Sequence, residues 1–154
     1  MNPDHLKIDI VKPVLEAMGW YSRAAEELLL LTCAQESHCG EYLHQINGPA
    51  LGIYQMEPLT HDDIWANYLI YKDEIADSVS RWELVKEPDR AGQMKGNLYY
   101  ATAMARVFYL RFSESLPEAD DIKGLAKYYK KYWNTSRGDA TVEQAISNYK
   151  RFMK

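Results

Sequence analysis

Gln35-Glu36-Ser37 closes the most apolar run of the chain, and a Gly- and His-containing stretch leads on to Gly52-Ile53-Tyr54-Gln55 and Pro58. In a helix, Glu36 lies four residues past Thr32 and seven past Leu29, on one stripe with Leu29, Thr32 and Cys33. A carboxyl on such a stripe is partly desolvated, which raises its pKa. An acid that keeps its proton near neutral pH can serve as a general acid. Gln55, after a glycine turn, offers a donor and an acceptor that suit an acetamido group. Tyr42, Tyr54 and Tyr128 offer flat faces and hydroxyls for sugar rings. The plain alternatives are a solvent-pointing Glu36 at a helix end, tyrosines of core or surface, and Gly52 as a turn residue only.

Glycosidases commonly use a pair of carboxylates, with substrate-assisted exceptions. Between Glu36 and Gln55 the other acid is Glu41, and Glu57, Asp62 and Asp63 follow. Asp62 and Asp63 read as helix N-terminal charges. No second catalytic acid stands out, and any water for net hydrolysis would be held by Glu41, Glu57 or Asp62. His38 and His44 are expected to be solvated or packed in the loop. Cys33 and Cys39 are expected to be free thiols, because six residues apart in a continuous helix they face different ways. They could meet only if the helix ended between them. A zinc site from Cys33, His38, Cys39 and His44 matches no standard ligand spacing.

The elements that must position Glu36 read as helices nearly throughout. Val11 to Met18 is a short apolar-periodic piece with Pro13 near its start and Gly19 past its end. Ser22 is an N-cap candidate for a helix apolar on nearly every side from Ala24 to Ala34, with Glu26 and Glu27 near its start. Residues 38–59, with three glycines and two prolines, form the longest irregular stretch, the kind of loop that often carries function. Thr60 to Asp63 suggests a capping box opening a helix with Ile64, Trp65, Tyr68, Leu69 and Ile75 on its apolar face. A polar turn at Lys86-Glu87-Pro88-Asp89 leads to a helix expected from about Met94 to Phe112. Pro117 and Asp120-Asp121 introduce a helix carrying Leu125, Ala126, Tyr128, Tyr129, Tyr132 and Trp133. A turn at Asn134 to Asp139 precedes the Thr141–Gln144 capping box of a last helix. With no repeat, low-complexity run or linker, residues 1–154 read as a single, mainly helical (all-α) domain.

These pieces together bear a family resemblance. Glu36-Ser37, a loop, then Gly52-Ile53-Tyr54-Gln55 and Pro58 resembles the signature of lytic transglycosylases with the soluble-transglycosylase domain, in which Glu-Ser is followed by Gly-Leu-Met-Gln. Asn97 to Phe112 is similar to the family's long helix, and Leu125-Ala126-Lys127-Tyr128 to its Leu-Ala-Ala-Tyr-Asn segment. The likeness spans about residues 22–133 and is concentrated in 35–58. It implies a lysozyme-like helical fold that cleaves the MurNAc–GlcNAc bond of peptidoglycan without a cofactor or metal. It implies Glu36 as the acid/base, with Ser37, Gly52, Tyr54 and Gln55 along the glycan cleft and Tyr128 beside the glutamate. It also implies the transglycosylase route: Glu36 protonates the leaving oxygen, the MurNAc N-acetyl group assists at C1, and a 1,6-anhydro product forms. This chain departs from the pattern at Tyr129, where the family has Asn, and continues with Lys130-Lys131.

Bulk composition sets outer limits. Apolar residues make up 47 % and charged residues 26 %, ordinary for a globular domain. A net charge of −4 argues against a nucleic-acid surface and against long-range attraction to any anionic polymer. A grip on such a polymer must come from local contacts. No run of 18 apolar residues is present, so no transmembrane helix is expected. MNPDHLKIDIVKP lacks the apolar core of a Sec signal. The expectation is a monomer made in a cytoplasm and acting at the bacterial wall, carried there by a virion, a holin or a secretion machine. The competing expectations are a muramidase-type hydrolase and a non-catalytic lysozyme-like virion or glycan-binding protein.

Overall fold

Ser22 opens the central helix as expected: its side chain accepts from the Ala25 amide at 3.0 Å and starts α3, Arg23–Ser37. In the computed structural model, which describes residues 1–86 and 89–154, this helix forms the middle of a mainly helical fold. Leu28, Leu29, Leu30 and Leu31 are all buried, each contributing about 2 kcal/mol of hydrophobic stabilisation. Thr32 can sit among them because its hydroxyl bonds to the Leu28 carbonyl and to Tyr109 Oη, both at 2.8 Å. Glu26 and Glu27 are also buried. Lys7 Nζ lies 3.2 and 3.0 Å from them, and Tyr149 Oη donates to Glu27, so the charges tie α3 to both chain ends.

The N-terminal helix starts earlier than its apolar pattern implies. Asn2 caps it by accepting from the Asp4 and His5 amides, and α1, Pro3–His5, runs through a wide π-type stretch, Leu6–Val11, into α2, Lys12–Ala17. The wide turn has a cause in Pro13, which has no amide hydrogen and would clash with a tighter ladder. Lys12 N–H instead reaches back to the Lys7 carbonyl.

Three further boundaries differ from the expectations. α4, Pro58–Asn67, begins at Pro58 with Glu57 in the cap position, so Thr60 lies inside the first turn and caps nothing. Proline at the first position is pre-set for helix and loses no bond there. The chain then breaks at Tyr68, forms a tight turn at Leu69–Tyr71, and starts α5, Asp73–Ser80, which carries Ile75. The expected helix from Met94 is split into a tight turn, Ala91–Lys95, and α6, Leu98–Leu110. Asn97 splits it, its side chain accepting from Tyr100 N at 3.0 Å and donating to the Trp82 carbonyl at 2.6 Å. Part of the expected turn at Lys86–Asp89, namely Glu87 and Pro88, lies outside the described residues.

Asp121 caps α7, Ile122–Tyr129, which widens into a π-type turn at Lys130–Asn134. The Thr141–Gln144 capping box is present in both halves at the start of α8, Val142–Phe152. α7 and α8 pack on α3 and on each other, and α6 closes another side of α3. No helix of the described residues is long and apolar enough to cross a membrane.

Candidate active site

α3 ends in a turn that backbone strain makes distinctive. His38 and Cys39 take positive φ values of 52° and 61°, and Gly40 follows at 79°. These reverse the chain, so the Cys39 amide donates to the Cys33 carbonyl at 3.3 Å. Both cysteines are free and buried. Glu36 sits one residue before this end, partly buried, on the wall of a cleft of about 580 Å³.

Residues 51–56 form the facing element. Leu51 and Met56 pair through two backbone bonds of 2.9 and 3.1 Å, which makes Gly52-Ile53-Tyr54-Gln55 the loop of a tiny hairpin. Gly52 has φ +75°, and a Cβ there would collide with the Met94 carbonyl oxygen, so only glycine fits. Gln55 also holds a positive φ of 50°. Its backbone and side-chain nitrogens both donate to the Gly52 carbonyl, at 3.0 and 2.9 Å. That leaves its amide oxygen and one N–H for the cleft that it lines.

Ser37 is fully buried. Its hydroxyl donates to the Ile53 carbonyl at 2.6 Å and accepts from the Gly40 amide at 2.9 Å. The Glu-Ser and Gly-Ile-Tyr-Gln pieces are therefore physically clamped together, and Ser37 is the clamp rather than part of the cleft surface. Tyr54, also expected along the cleft, is buried with its hydroxyl 3.1 Å from Thr102 Oγ1. Gly52 is part of the hairpin loop and shapes it without lining the cleft.

Tyr128 is not beside the glutamate: its hydroxyl donates to the Glu114 carbonyl at 2.9 Å, on another side of α7. The neighbour is Tyr129, whose hydroxyl donates to Glu36 Oε1 at 2.5 Å. Burial pushes Glu36 up from 4.5 to about 7, against the opposing pull of the Tyr129 hydrogen bond. Burial and the nearby carboxylate push Tyr129 far upward, so it remains a neutral donor. At neutral pH Glu36 is thus poised between its acid and base forms.

Glu57 and Asp139 also line the cleft, together with Tyr42 and the aromatic pair Phe108 and Trp133, whose rings lie 4.5 Å apart. Of the acids considered for holding a water, only Glu57 reaches this cleft. Glu41 stands 3.6 Å from His38 Nδ1, and Asp62 accompanies His61 in a different hollow. Sequence reasoning missed Trp133 as a site residue, although it lies four residues after Tyr129 and so shares its helix face. Nothing local marked Asp139. Among the described residues, no group of three or more His, Cys, Asp or Glu is placed to hold a metal ion.

No protein-family model, no curated protein and no solved structure matches the chain.

Proposed function

We propose that this chain cleaves the MurNAc–GlcNAc bond of peptidoglycan as a lysozyme-like lytic transglycosylase with Glu36 as its acid and base. The observation that carries this reading is the position of Glu36, its carboxylate accepting from Tyr129 Oη at 2.5 Å on the wall of a cleft large enough for sugar rings, where burial pushes it up to about 7. Protonated Glu36 gives its proton to the glycosidic oxygen as the C1–O bond breaks. The MurNAc N-acetyl oxygen supports C1. The Glu36 carboxylate then takes the C6 hydroxyl proton, the C6 oxygen bonds to C1, and a 1,6-anhydro end forms. One group must first lose and then recover a proton, which a pKa near ambient pH favours. Gln55 offers the acetamido group an amide oxygen and an N–H, and Trp133 offers a ring a flat face. No cofactor enters this scheme. This substrate would put the protein, acting as a monomer, at the bacterial wall.

A second reading, hydrolysis, is favoured by one observation: Glu57 shares the cleft with Glu36. A water held by Glu57 would attack C1 in place of the C6 hydroxyl and leave a reducing end. Wall turbidity and mass spectrometry of digested sacculi separate the readings. Anhydro ends from the wild type, lost in Glu36→Gln, are expected. Reducing ends lost in Glu57→Gln mean hydrolysis. A Glu36→Gln protein that still cleaves overturns both, and no fragments from the wild type overturns both and favours a non-catalytic lysozyme-like role.

A further inference from the structure

The cleft does not stop at its aromatic wall. Thr60, Phe108 and Trp133 line it on one face and line a second hollow of about 560 Å³ on the other. That second hollow carries Arg111 and Lys131. Phe112 and Tyr132 stack between them with ring centroids 4.2 Å apart. The Arg111 guanidinium lies 4.8 Å from the Phe108 centroid and 5.7 Å from that of Phe112, and Lys131 Nζ lies 5.0 Å from the Tyr132 centroid. Each cation is also steadied by an acid: Arg111 Nη1 to Asp63 at 3.2 Å, and Lys131 Nζ to Glu114 at 2.7 Å. Arginine has five N–H donors and lysine three, so both keep donors for a further anion.

The neighbouring surfaces have the opposite character. The cleft itself is lined by Glu36, Glu57 and Asp139, with no Lys or Arg among its described residues. The hollow on its other flank, which shares Asp139 and includes Gln35 and Asn148, has none either. Past Trp133, Arg111 and Lys131 therefore offer an anionic substituent a pair of lining cations that neither the cleft nor its other flank presents.

The geometry points to Arg111 and Lys131 as a cationic shelf that binds carboxylates pendant from the glycan, so that peptide-bearing strands are held in preference to bare ones. This rests on the glycan-cleaving reading and gives its substrate class: strands whose sugars still carry their acidic stem peptides. The shelf supplies the local contact that the overall charge withholds. It also sets polarity, because a substituent that must lie past Trp133 orients the strand relative to Glu36. A phosphate-bearing wall polymer would present an anion to the same shelf, and strands freed of such polymers remove that source.

The test uses the full chain with two substrates prepared free of phosphate polymers: intact peptide-bearing strands and the same strands stripped by an amidase. Binding is read by co-sedimentation and cleavage by released ends. The wild type is expected to bind the peptide-bearing strands roughly tenfold more tightly, with the preference shrinking as salt rises. In Arg111→Ala/Lys131→Ala the ratio should fall towards one. Lys131→Ala alone, at an exposed site, gives a partial fall if the double variant does not fold. A preference unchanged in these variants overturns the shelf, as does a wild type that binds both strands equally or neither. Preferential binding without cleavage keeps the shelf and overturns the proposed catalysis. Cleavage without preference does the reverse.

Discussion

Replacing Glu36 by Gln should stabilise the protein at the pH where it abolishes the proposed chemistry. A carboxyl raised from 4.5 to about 7 prefers its neutral form in the native state by about 3 kcal/mol, since each tenfold change in proton affinity is worth about 1.4 kcal/mol. Below 4.5 both folded and unfolded chains carry the proton, and Glu36 imposes no penalty. As pH rises from 4.5 to about 7, the unfolded chain releases its proton while the native one holds it, and stability falls. Above about 7 the full cost is present. The amide introduced by Glu36→Gln has no such proton to lose and can still accept from the Tyr129 hydroxyl. Urea unfolding of both proteins across pH 4 to 8 isolates this group, because every other titration is common to the two and cancels. The two should be nearly equal at pH 4, and Glu36→Gln should lead by about 2–3 kcal/mol at pH 8. That corresponds to a Tm roughly 4–12 °C higher for a chain of this size. A difference that stays flat across this range, or a less stable Gln variant at pH 8, would refute the account of a dry carboxyl.

Four other outcomes are expected. Tyr129→Phe removes a bond that favours ionised Glu36, so the alkaline limb of the pH–rate profile should move to higher pH while the maximal rate falls roughly tenfold through lost positioning. Tyr128→Phe should leave that limb in place and lower stability by about 1 kcal/mol, read by urea unfolding. Ser37→Ala unties Ile53 and Gly40 and should cost about 1–3 kcal/mol of stability, with a raised KM as the hairpin shifts. Gly52→Ala combines a positive φ with a collision against the Met94 backbone; thermal melts should show a loss of at least about 3 kcal/mol.

The lone-acid logic at Glu36 was legible because its signal is local: an apolar stripe repeated at helical spacing carries a carboxyl to its end. Caps at Ser22 and Thr141 were legible for the same reason, since each side chain acts within three residues of itself. Asn97 shows where this logic fails. Its split of the expected helix is anchored by the Trp82 carbonyl, fifteen residues away, and no window of helix propensity contains that bond. Pro58 was the better start signal than Thr60, a choice between two local cues that the extended cap at Glu57 decided.

Residue types and periodicity by themselves determined a mainly helical chain, a buried central helix, and the end of that helix as the place for an acid. The tertiary structure alone decided which side chains face that acid. One residue along a helix is a rotation of about 100°, so the packing phase of α7 on α3 turns Tyr129 towards Glu36 and Tyr128 towards Glu114. The same holds for Ser37 and Tyr54, whose hydroxyls are claimed by the Ile53 carbonyl and by Thr102 before any ligand could reach them. A spacing in sequence places a residue on an element. Only the meeting of two elements says whether that residue faces a cleft or its neighbour's backbone.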